Sequence, residues 1–281
     1  MNIAEMHLNF REYAQQMGMQ NVRAILPDQI DIYINQAIND EVNQLIRENI
    51  ISTKDGKTDT SKLGQINALR TLYDVRTKRI TFDNSIKEII GYNKKGRPIK
   101  RTLPKLFDYD SANKNIGLIK HYGTQDSDKL FENYMYIVNM SINYISEDKV
   151  ISNWCPIRII DDTYLSNTLN DAILKNSFRS PIAVIYKNNS LELYIDKFNE
   201  TKDAAPSFTV SNGKGLTFIP YNLRISVINK PAVVKFIEKK EFTEESIDCD
   251  LPEFMHGNIV KRAVDLYRVT INGSLNNTQQ G

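Results

Sequence analysis

The sequence is poor in the residues that support the commonest protein chemistries. It has two cysteines, Cys155 and Cys249, which lie far apart and form no CxxC pair. Neither a disulfide framework nor a zinc site is therefore predicted. Three histidines leave few general bases, and single histidines on predicted helices, such as His7 and His256, are more often packing residues than catalytic ones. We accordingly expect no enzymatic activity, no cofactor and no metal.

Long apolar runs and an excess of charge of one sign are also missing. No run approaches the ~20 apolar residues that span a bilayer, so no membrane contact is predicted. Glu5 and Arg11 interrupt the first stretch, which argues against a signal peptide. The 36 Lys and Arg against 34 Asp and Glu leave a formal charge of +2. This balance excludes a bulk attraction to nucleic acid, so any such affinity must be local. We expect the protein to be made in a cytoplasm.

Several short motifs suggest a chemistry that their context does not support. Asp55–Thr58 (DGKT) ends like a phosphate-binding loop, but the glycine required five residues before its own glycine is replaced by Ile51. The segment 212–215 (NGKG) has the composition of a turn. The adjacent Asp161 and Asp162 could be a carboxylate pair for a metal or for acid–base work, but helix capping explains them without a further assumption.

The N-terminal part of the chain has the apolar spacing of amphipathic helices. A first helix is predicted to end at Gly18. A second is predicted from Pro27, whose missing N–H suits a first turn, to about Ile51. A third is predicted to begin near Thr60 or Ser61. The apolar stripes of these helices run through Ile3, Met6, Phe10, Tyr13 and Met17, through Ile30, Ile34, Ile38, Val42, Leu45 and Ile46, and through Leu63, Ile66, Leu69 and Leu72.

The middle of the chain has instead the two-residue alternation of strands. The predicted strands are 133–145, 182–186, 191–195 and 223–227, with a turn at Asn188–Ser190 and a short helix from about Thr163 to Lys175. The C-terminal part returns to helix after Pro252, with an apolar stripe through Met255, Ile259, Ala263 and Leu266. Beyond it, residues 273–281 are polar and predicted to be mobile.

These patterns predict an α+β fold. The predicted N-terminal helical segment, residues 1–80, and the C-terminal helix and tail, residues 250–281, have matching apolar stripes, so we expect them to pack into one helical bundle. A β-rich central insertion, residues 81–249, separates them in sequence.

One strongly basic segment lies in the middle of the chain, and Gly96 and Pro98 within it predict a loop over residues 94–105. Its cations, extended by Lys105, are Lys94, Lys95, Arg97, Lys100 and Arg101. A run of charges is most often a solvated loop. The alternative hypothesis is a contact with DNA phosphates or with an acidic protein surface. No stacking aromatic motif accompanies the segment, so sequence-specific recognition is not expected.

Three segments resemble those of head-to-tail connector subunits of crAss-like and related Bacteroidetes podophages. Leu26–Ala37 (LPDQIDIYINQA) resembles their helix start LPxxIDxxLNxA. Leu223–Val234 (LRISVINKPAVV) resembles a strand that ends in a KPxxV turn, and Asp250–Leu266 (DLPEFMHGNIVKRAVDL) resembles the terminal helix cDLPexxHxxIVxxAVxL. Order and placement agree, but the segments cover a small part of the chain and leave the basic segment unmatched.

The resemblance implies an adaptor or neck-ring subunit, a virion protein that is assembled in the host cytoplasm. It implies a homo-oligomeric ring, commonly of twelve subunits, that docks on the portal protein, contacts other neck and tail rings and surrounds the DNA path. In related adaptors the C-terminus enters the portal. The corresponding candidates for portal docking are Asn272, Gly273, Ser274, Leu275 and Asn276. The alternative for these residues is a simple disordered end.

Two other classes of function stay open from the sequence. A phage-encoded nucleic-acid-binding protein that uses the loop 94–105 would lose affinity steeply with salt and would need no portal. An enzyme would have to build its site from the unmatched middle of the chain, where no pair of titratable groups stands out.

Overall fold

The computed structural model describes residues 1–19, 25–52, 58–60, 62–83, 85–103, 105–109, 115–121, 131–186, 190–199, 207–210, 216–237 and 245–278. Within these ranges the chain is a mixed α+β protein with four α-helices and a large curled β-sheet. The helices are α1 (Ile3–Gln16), α2 (Pro27–Asn49), α3 (Asp162–Asn170) and α4 (Glu253–Thr278). The strands are β1 (Ile51–Ser52), β2 (Thr58–Asp59), β3 (Tyr73–Arg79), β4 (Lys87–Tyr92), β5 (Pro98–Thr102), β6 (Asp108–Tyr109), β7 (Leu118–His121), β8 (Tyr134–Ser146), β9 (Cys155–Ile159), β10 (Ile182–Ile185), β11 (Leu191–Tyr194), β12 (Phe208–Val210) and β13 (Leu216–Asn229).

The chain forms two compact units. The first is built from residues 1–50, 62–73 and 228–281, and the second from residues 51–61 and 74–227. Helices α1, α2 and α4 belong to the first unit. Helix α3 and nearly all of the strands belong to the second. None of the helices in the described ranges is both long and apolar enough to cross a bilayer.

Helices α1 and α2 begin where the sequence provides suitable first turns. Asn2 and Glu5 form a capping box, in which the Glu5 N–H donates to Asn2 Oδ1 at 2.8 Å and the Asn2 N–H donates to Glu5 Oε2 at 3.0 Å. Pro27 occupies the first turn of α2, as predicted. The predicted stripes are confirmed where their side chains are buried, whereas Met17, just after the end of α1, is 41% exposed. The buried members are Ile3, Met6 and Phe10 in α1 and Ile30, Ile34, Ile38, Val42 and Ile46 in α2.

Helix α4 contacts both of these helices inside the first unit. The Tyr267 ring lies 5.8 Å from the Phe10 ring and 5.3 Å from the Tyr33 ring, measured between centroids. Nearer the start of α4, its predicted stripe is buried at Met255, Ile259 and Ala263 and half-buried at Leu266.

The prediction of a third long helix near residue 60 is wrong. Residues 63–65 and 67–69 form two short 3₁₀ turns, separated by Ile66 in an extended conformation, and β3 starts at Tyr73. The apolar residues of this segment recur at a strict three-residue step, which is the period of a 3₁₀ turn. Leu63, Leu69 and Leu72 are still buried, so the predicted apolar face exists without the predicted helix.

The large sheet belongs to the second unit and has, among the described residues, nine strands. Their order is β12-β13-β8-β9-β10-β11-β7-β6, with β3 also paired to β13. Strands β9 and β10 are parallel and are joined through α3, the crossover that a parallel pair requires. The pairs β8–β9, β10–β11 and β11–β7 are antiparallel. Strands β8 and β13 confirm the predicted strands at 133–145 and 223–227.

The main core of this unit is aromatic and aliphatic. Its largest buried side chains include Phe107, Tyr144, Phe198 and Phe208. The buried Tyr144 hydroxyl is satisfied, because it donates to the carbonyl of Phe178 at 2.8 Å. Beside this core, Gly117 has φ +64°, and a Cβ at this position would collide with the backbone of Asp196. A larger residue therefore cannot replace it without moving the chain.

Two smaller predictions need correction. Helix α3 ends at Asn170 instead of Lys175, because the Asp171 carboxylate accepts from the N–H groups of Ile173 and Leu174 and begins a turn. Asp161 stands at the N-cap of α3, but its side chain makes no capping hydrogen bond. The phosphate-loop-like residues 55–57, the turn residues 188–189 and the segment 212–215 lie outside the described residues.

Candidate functional site

A β-hairpin of the second unit, here called the arm (residues 86–103), has no buried face. It consists of β4 and β5, which pair only with each other within the described chain. Every residue of the two strands is exposed except Gly91, which is half-buried. Four of the exposed side chains are large and apolar, between 45% and 69% exposed: Ile89, Ile90, Tyr92 and Ile99. Because a two-stranded hairpin alone is at best marginally stable in water, these side chains suit a surface that a partner covers.

The base of the arm is fixed to the core of its unit. The Leu103 N–H donates to the Ile86 carbonyl at 2.8 Å and closes the hairpin. Just outside it, the N–H groups of Leu106 and Phe107 both donate to the Thr81 carbonyl at 3.0 Å. Leu103, Thr81 and Phe107 are buried. The arm is therefore anchored at its base and open along its length.

The tip of the arm is a closed turn around Asn93. Its N–H donates to the Arg97 carbonyl and its carbonyl accepts from the Gly96 N–H, both at 2.9 Å. Its side-chain Oδ1 accepts from the N–H groups of Lys95 and Arg97 at 3.0 and 2.9 Å. Gly96 has φ +72°, as expected for a three-residue hairpin loop that ends in a left-handed residue. The turn holds the backbone of the tip cations, Lys94, Lys95 and Arg97, in one conformation.

The two faces of the arm differ in chemistry. Ile89 lies opposite Lys100, and Tyr92 lies opposite Pro98 two residues along β5, so these four side chains share one face. The other face carries Glu88 opposite Arg101, with Ile99 beside them and Ile90 at a bulge. Arg101 Nη2 lies 3.5 Å from Glu88 Oε2, so this second face neutralises its own charge.

Most of the positive charge on the arm is uncompensated. Residues 87–101 hold six cationic side chains and one carboxylate, a net charge of +5, whereas the whole chain carries +2. The remainder of the chain is therefore at −3. Among the described residues, no ion pair is formed by Lys87, Lys94, Lys95, Arg97 or Lys100. Lys105, beyond the arm, is paired with Asp108.

The structure places all five predicted cations on the arm, with Lys100 and Arg101 on opposite faces, and the predicted loop is wrong over part of its length. Lys100 and Arg101 belong to β5, and only the tip is a turn. The exposed apolar residues were missed because neither strand alternates polar and apolar side chains. A usable signal was present, since Asn93 precedes a three-residue loop that ends in Gly96.

The predicted portal-docking residues lie in α4. The backbone is helical through Thr278, so the polar tail predicted from Gly273 is largely a continuation of the helix. Asn has only a modest cost inside a helix, which lets the helix continue past its apolar stripe. The side chains of Asn272, Gly273, Ser274, Leu275 and Asn276 lie outside the description.

Two of the three connector-like segments are joined through α2. The Asn35 side chain donates to the Val234 carbonyl at 2.9 Å and accepts from the Val234 N–H at 2.8 Å. One turn earlier, Asp31 Oδ2 accepts from the Phe236 N–H at 3.0 Å. Asn35 and Asp31 are two polar residues of the segment Leu26–Ala37, and Val234 ends the KPxxV turn.

The third segment is joined to the second in the same way. The Asp250 carboxylate accepts from the Ala232 N–H at 3.1 and 3.2 Å. The buried His256 shares a 2.7 Å hydrogen bond with the Leu251 carbonyl, which closes the start of α4. Polar side chains of the first and third segments thus bind backbone groups of the first unit, including those of the KPxxV turn in the second segment.

His7 has a partner that its sequence neighbours do not reveal. Its Nε2 lies 2.7 Å from Oδ1 of Asp31, 24 positions away, and its ring lies 4.8 Å from the Phe236 ring. Burial lowers the pKa of His7 despite the hydrogen bond to the carboxylate, which favours the neutral ring. Both groups are buried and hydrogen-bonded, so the pair links α1 to α2 and offers no open position to a substrate.

A second polar cluster surrounds Glu192 on β11. Its carboxylate accepts from the hydroxyls of Tyr194 and Tyr186 at 2.6 and 3.0 Å, and it pairs with Lys120 at 3.4 Å. Burial, and then the bond to this carboxylate, raises the pKa of both tyrosines, which keeps them protonated as donors. The carboxylate is thus occupied by three partners and is poorly placed to act as a base.

No protein-family model matches the sequence, and no curated protein matches it. In the described part of the chain, no group of three His, Cys, Asp or Glu side chains is arranged to hold a metal ion.

Proposed function

We propose that the chain is a structural, non-enzymatic subunit of a phage head-to-tail connector. It would form a ring that docks on the portal protein, links it to the tail and surrounds the DNA path. The observation that carries this proposal is the junction of the three connector-like segments. The first segment lies far from the other two in sequence, yet Asn35, Asp31 and Asp250 all bind the backbone between 232 and 236. The resemblance therefore rests on residues that hold one folded unit together.

The contacts of α4 support the helical part of the proposal. Arg262 lies 3.7 Å from Asp40 and 3.4 Å from Glu41, and the N-terminal amine of Met1 lies 2.7 Å from Glu253. We propose that α1, α2 and α4 act as one bundle, formed from both ends of the chain, which is the part that seats on the portal.

Co-sedimentation with purified portal rings tests the proposed function. The full-length chain is mixed with the portal protein encoded by the same genome, and the particles are examined by electron microscopy. We expect the chain to sediment with portal rings and to add a ring of density to one end. A chain that stays in the supernatant at every concentration tested would contradict the proposal.

A phage nucleic-acid-binding protein is the second candidate, and the unpaired cations of the arm favour it. This candidate predicts retention of duplex DNA without any portal protein. The logarithm of the binding constant would fall linearly with the logarithm of the salt concentration, by about 0.9 for each phosphate contacted. If the chain binds portal rings at every salt concentration and does not retain DNA, the result favours the connector subunit over the nucleic-acid-binding protein.

A further inference from the structure

A second exposed tip in the same unit resembles the tip of the arm. It joins β8 to β9 and is here called the corner (residues 146–154). The Ser146 N–H donates to the Val150 carbonyl at 3.0 Å, and the Ser146 carbonyl accepts from the Lys149 N–H at 2.9 Å. The Ser146 hydroxyl accepts from the Val150 N–H at 3.2 Å, and Lys149 has φ +61°.

The corner and the arm tip are the same kind of turn. Ser146 takes the place of Asn93, with the same two backbone bonds and the same side-chain bond to the fifth residue. Lys149 takes the place of Gly96 as the left-handed residue. Both turns are closed by their own hydrogen bonds, so each presents its side chains from a defined backbone.

Their leading side chains have opposite charge. The first two turn residues are Lys94 and Lys95 in the arm and Glu147 and Asp148 in the corner. Both carboxylates are exposed, and neither forms an ion pair among the described residues. The corner also carries a cation, and a second cation contacts its tryptophan. Lys149 ends the turn, and Arg224 lies over the Trp154 ring at 5.9 Å.

Both tips are flanked by exposed apolar side chains. Three of them lie in the corner, between 38% and 64% exposed: Val150, Ile151 and Trp154. The arm contributes Ile89, Tyr92 and Ile99. Exposed apolar side chains beside the cations of the arm tip and beside the two leading carboxylates of the corner are what a hydrophobic contact with a charged rim requires.

We propose that the arm of one copy of this chain docks on the corner of a second copy. Lys94, Lys95 and Arg97 then face Glu147 and Asp148, and the apolar side chains of the two tips pack together. The contact joins two different patches, so it is heterologous and propagates from copy to copy until the rotation closes a ring. It supplies the subunit contact of the proposed connector, but it requires no portal.

Two observations favour a second copy over DNA as the occupant. A phosphate backbone would satisfy the cations but would leave the large apolar side chains of the arm in water. In addition, the corner of a neighbouring copy offers the arm two exposed carboxylates, Glu147 and Asp148, together with exposed apolar side chains.

Charge reversal tests the pairing. One variant carries Lys94→Glu, Lys95→Glu and Arg97→Glu, and the other carries Glu147→Lys and Asp148→Lys. Each is examined by analytical ultracentrifugation at low salt up to its solubility limit. We expect the natural chain to self-associate and each variant to self-associate at least tenfold more weakly. An equimolar mixture of the two variants should recover the association of the natural chain. Recovery cannot arise from misfolding of either variant, and circular dichroism verifies their folding.

Zero-length carbodiimide coupling of a mixture of ¹⁵N-labelled and unlabelled chains locates the contact. We expect links between labelled and unlabelled peptides that join Lys94 or Lys95 to Glu147 or Asp148. Intermolecular links elsewhere, no recovery on mixing, or no association at any concentration would each overturn the proposal. So would a loss of DNA retention in the arm variant with unchanged association. Portal co-sedimentation is measured separately. A failure of the proposed connector function therefore does not decide whether this contact between copies exists.

Discussion

The side-chain amide of Asn35 binds both backbone groups of Val234, 199 positions away, and so pairs α2 with the segment after β13. The amide accepts from the Val234 N–H and donates to the Val234 carbonyl. A neighbouring β-strand would satisfy these two backbone groups in the same way. Without it, both groups of Val234 must find other partners or remain unpaired.

Replacing Asn35 by Ala should destabilise the protein by about 1–3 kcal/mol, because partly buried backbone groups lose their hydrogen bonds. Urea unfolding measures the change. Gln36→Ala, at the next and exposed position of α2, is the matched control and should change the free energy of unfolding by less than about 0.5 kcal/mol. Equal effects of the two substitutions would show that the Asn35 bonds contribute nothing to stability.

Gly117→Ala should destabilise the second unit by more than about 1 kcal/mol, because its φ is +64° and the added methyl group meets the Asp196 backbone. Gly91→Ala is the control: Gly91 has no atom within 4 Å of a built Cβ and lies in β4. It should be neutral or slightly stabilising. Thermal unfolding of both variants decides, and a neutral Gly117→Ala would contradict the close approach.

The stability of the first unit should fall as the pH drops below about 6.5, the ordinary pKa of histidine. Burial lowers the pKa of His7 in the folded state, so the folded protein binds fewer protons than the unfolded chain in this range. The stabilisation from the neutral His7 ring is complete at a pH above the pKa of this histidine in the unfolded chain. It is lost as the pH falls towards the pKa of His7 in the folded protein. Urea midpoints at pH 7.5 and 5.5 measure it. His7→Gln should show a smaller difference, and an unchanged difference would assign the pH dependence to other groups.

Sequence patterns predicted the long helices and strands correctly. They failed where one pattern of apolar residues is compatible with two kinds of secondary structure. The stripes of α1 and α2 and the alternation in β8 continue over many residues, so a single period fits each of them. Leu63 to Leu72 has a three-residue step, which a 3₁₀ turn satisfies as well as a helix does. The strands of the arm were not predicted because the arm has no buried face. Without a buried face, nothing requires polar and apolar side chains to alternate along a strand. The His7–Asp31 pair depends on the packing of two helices and has no local signal.

The cations of the arm should be dispensable for folding. Replacing Lys94, Lys95, Arg97, Lys100 and Arg101 with Ser should change the free energy of unfolding by less than about 1 kcal/mol, because exposed ion pairs such as Glu88–Arg101 contribute little. The matched control is Thr81→Val at the buried base, where the hydroxyl accepts from the Leu106 N–H at 3.3 Å. It should be destabilising. A large loss of thermal stability in the Ser variant would assign the arm a structural role.

Helix α4 runs to Thr278, and the burial of its described side chains changes along its length. Met255, Ile259 and Ala263 are buried, whereas Arg268 and Thr270 are exposed although the helix runs to Thr278. Among the described side chains of α4, the buried ones lie in the first half of the helix. The polar sequence after Ile271 suits a partner, since a polar segment without its own core bears its ordering cost when it binds.

Deleting residues 273–281 should leave the monomer folded, with an unchanged melting temperature, and should abolish co-sedimentation with portal rings. A variant in which the same nine residues are replaced by Gly and Ser keeps the length of the chain and is the matched control. It should also fail to bind if the side chains make the contact. A weak subunit contact becomes stable when portal contacts add to it, so both variants should stay unassembled where the intact chain decorates portals. Portal binding by the truncated chain at the level of the intact one would move the docking site elsewhere, most simply to α1 or α2.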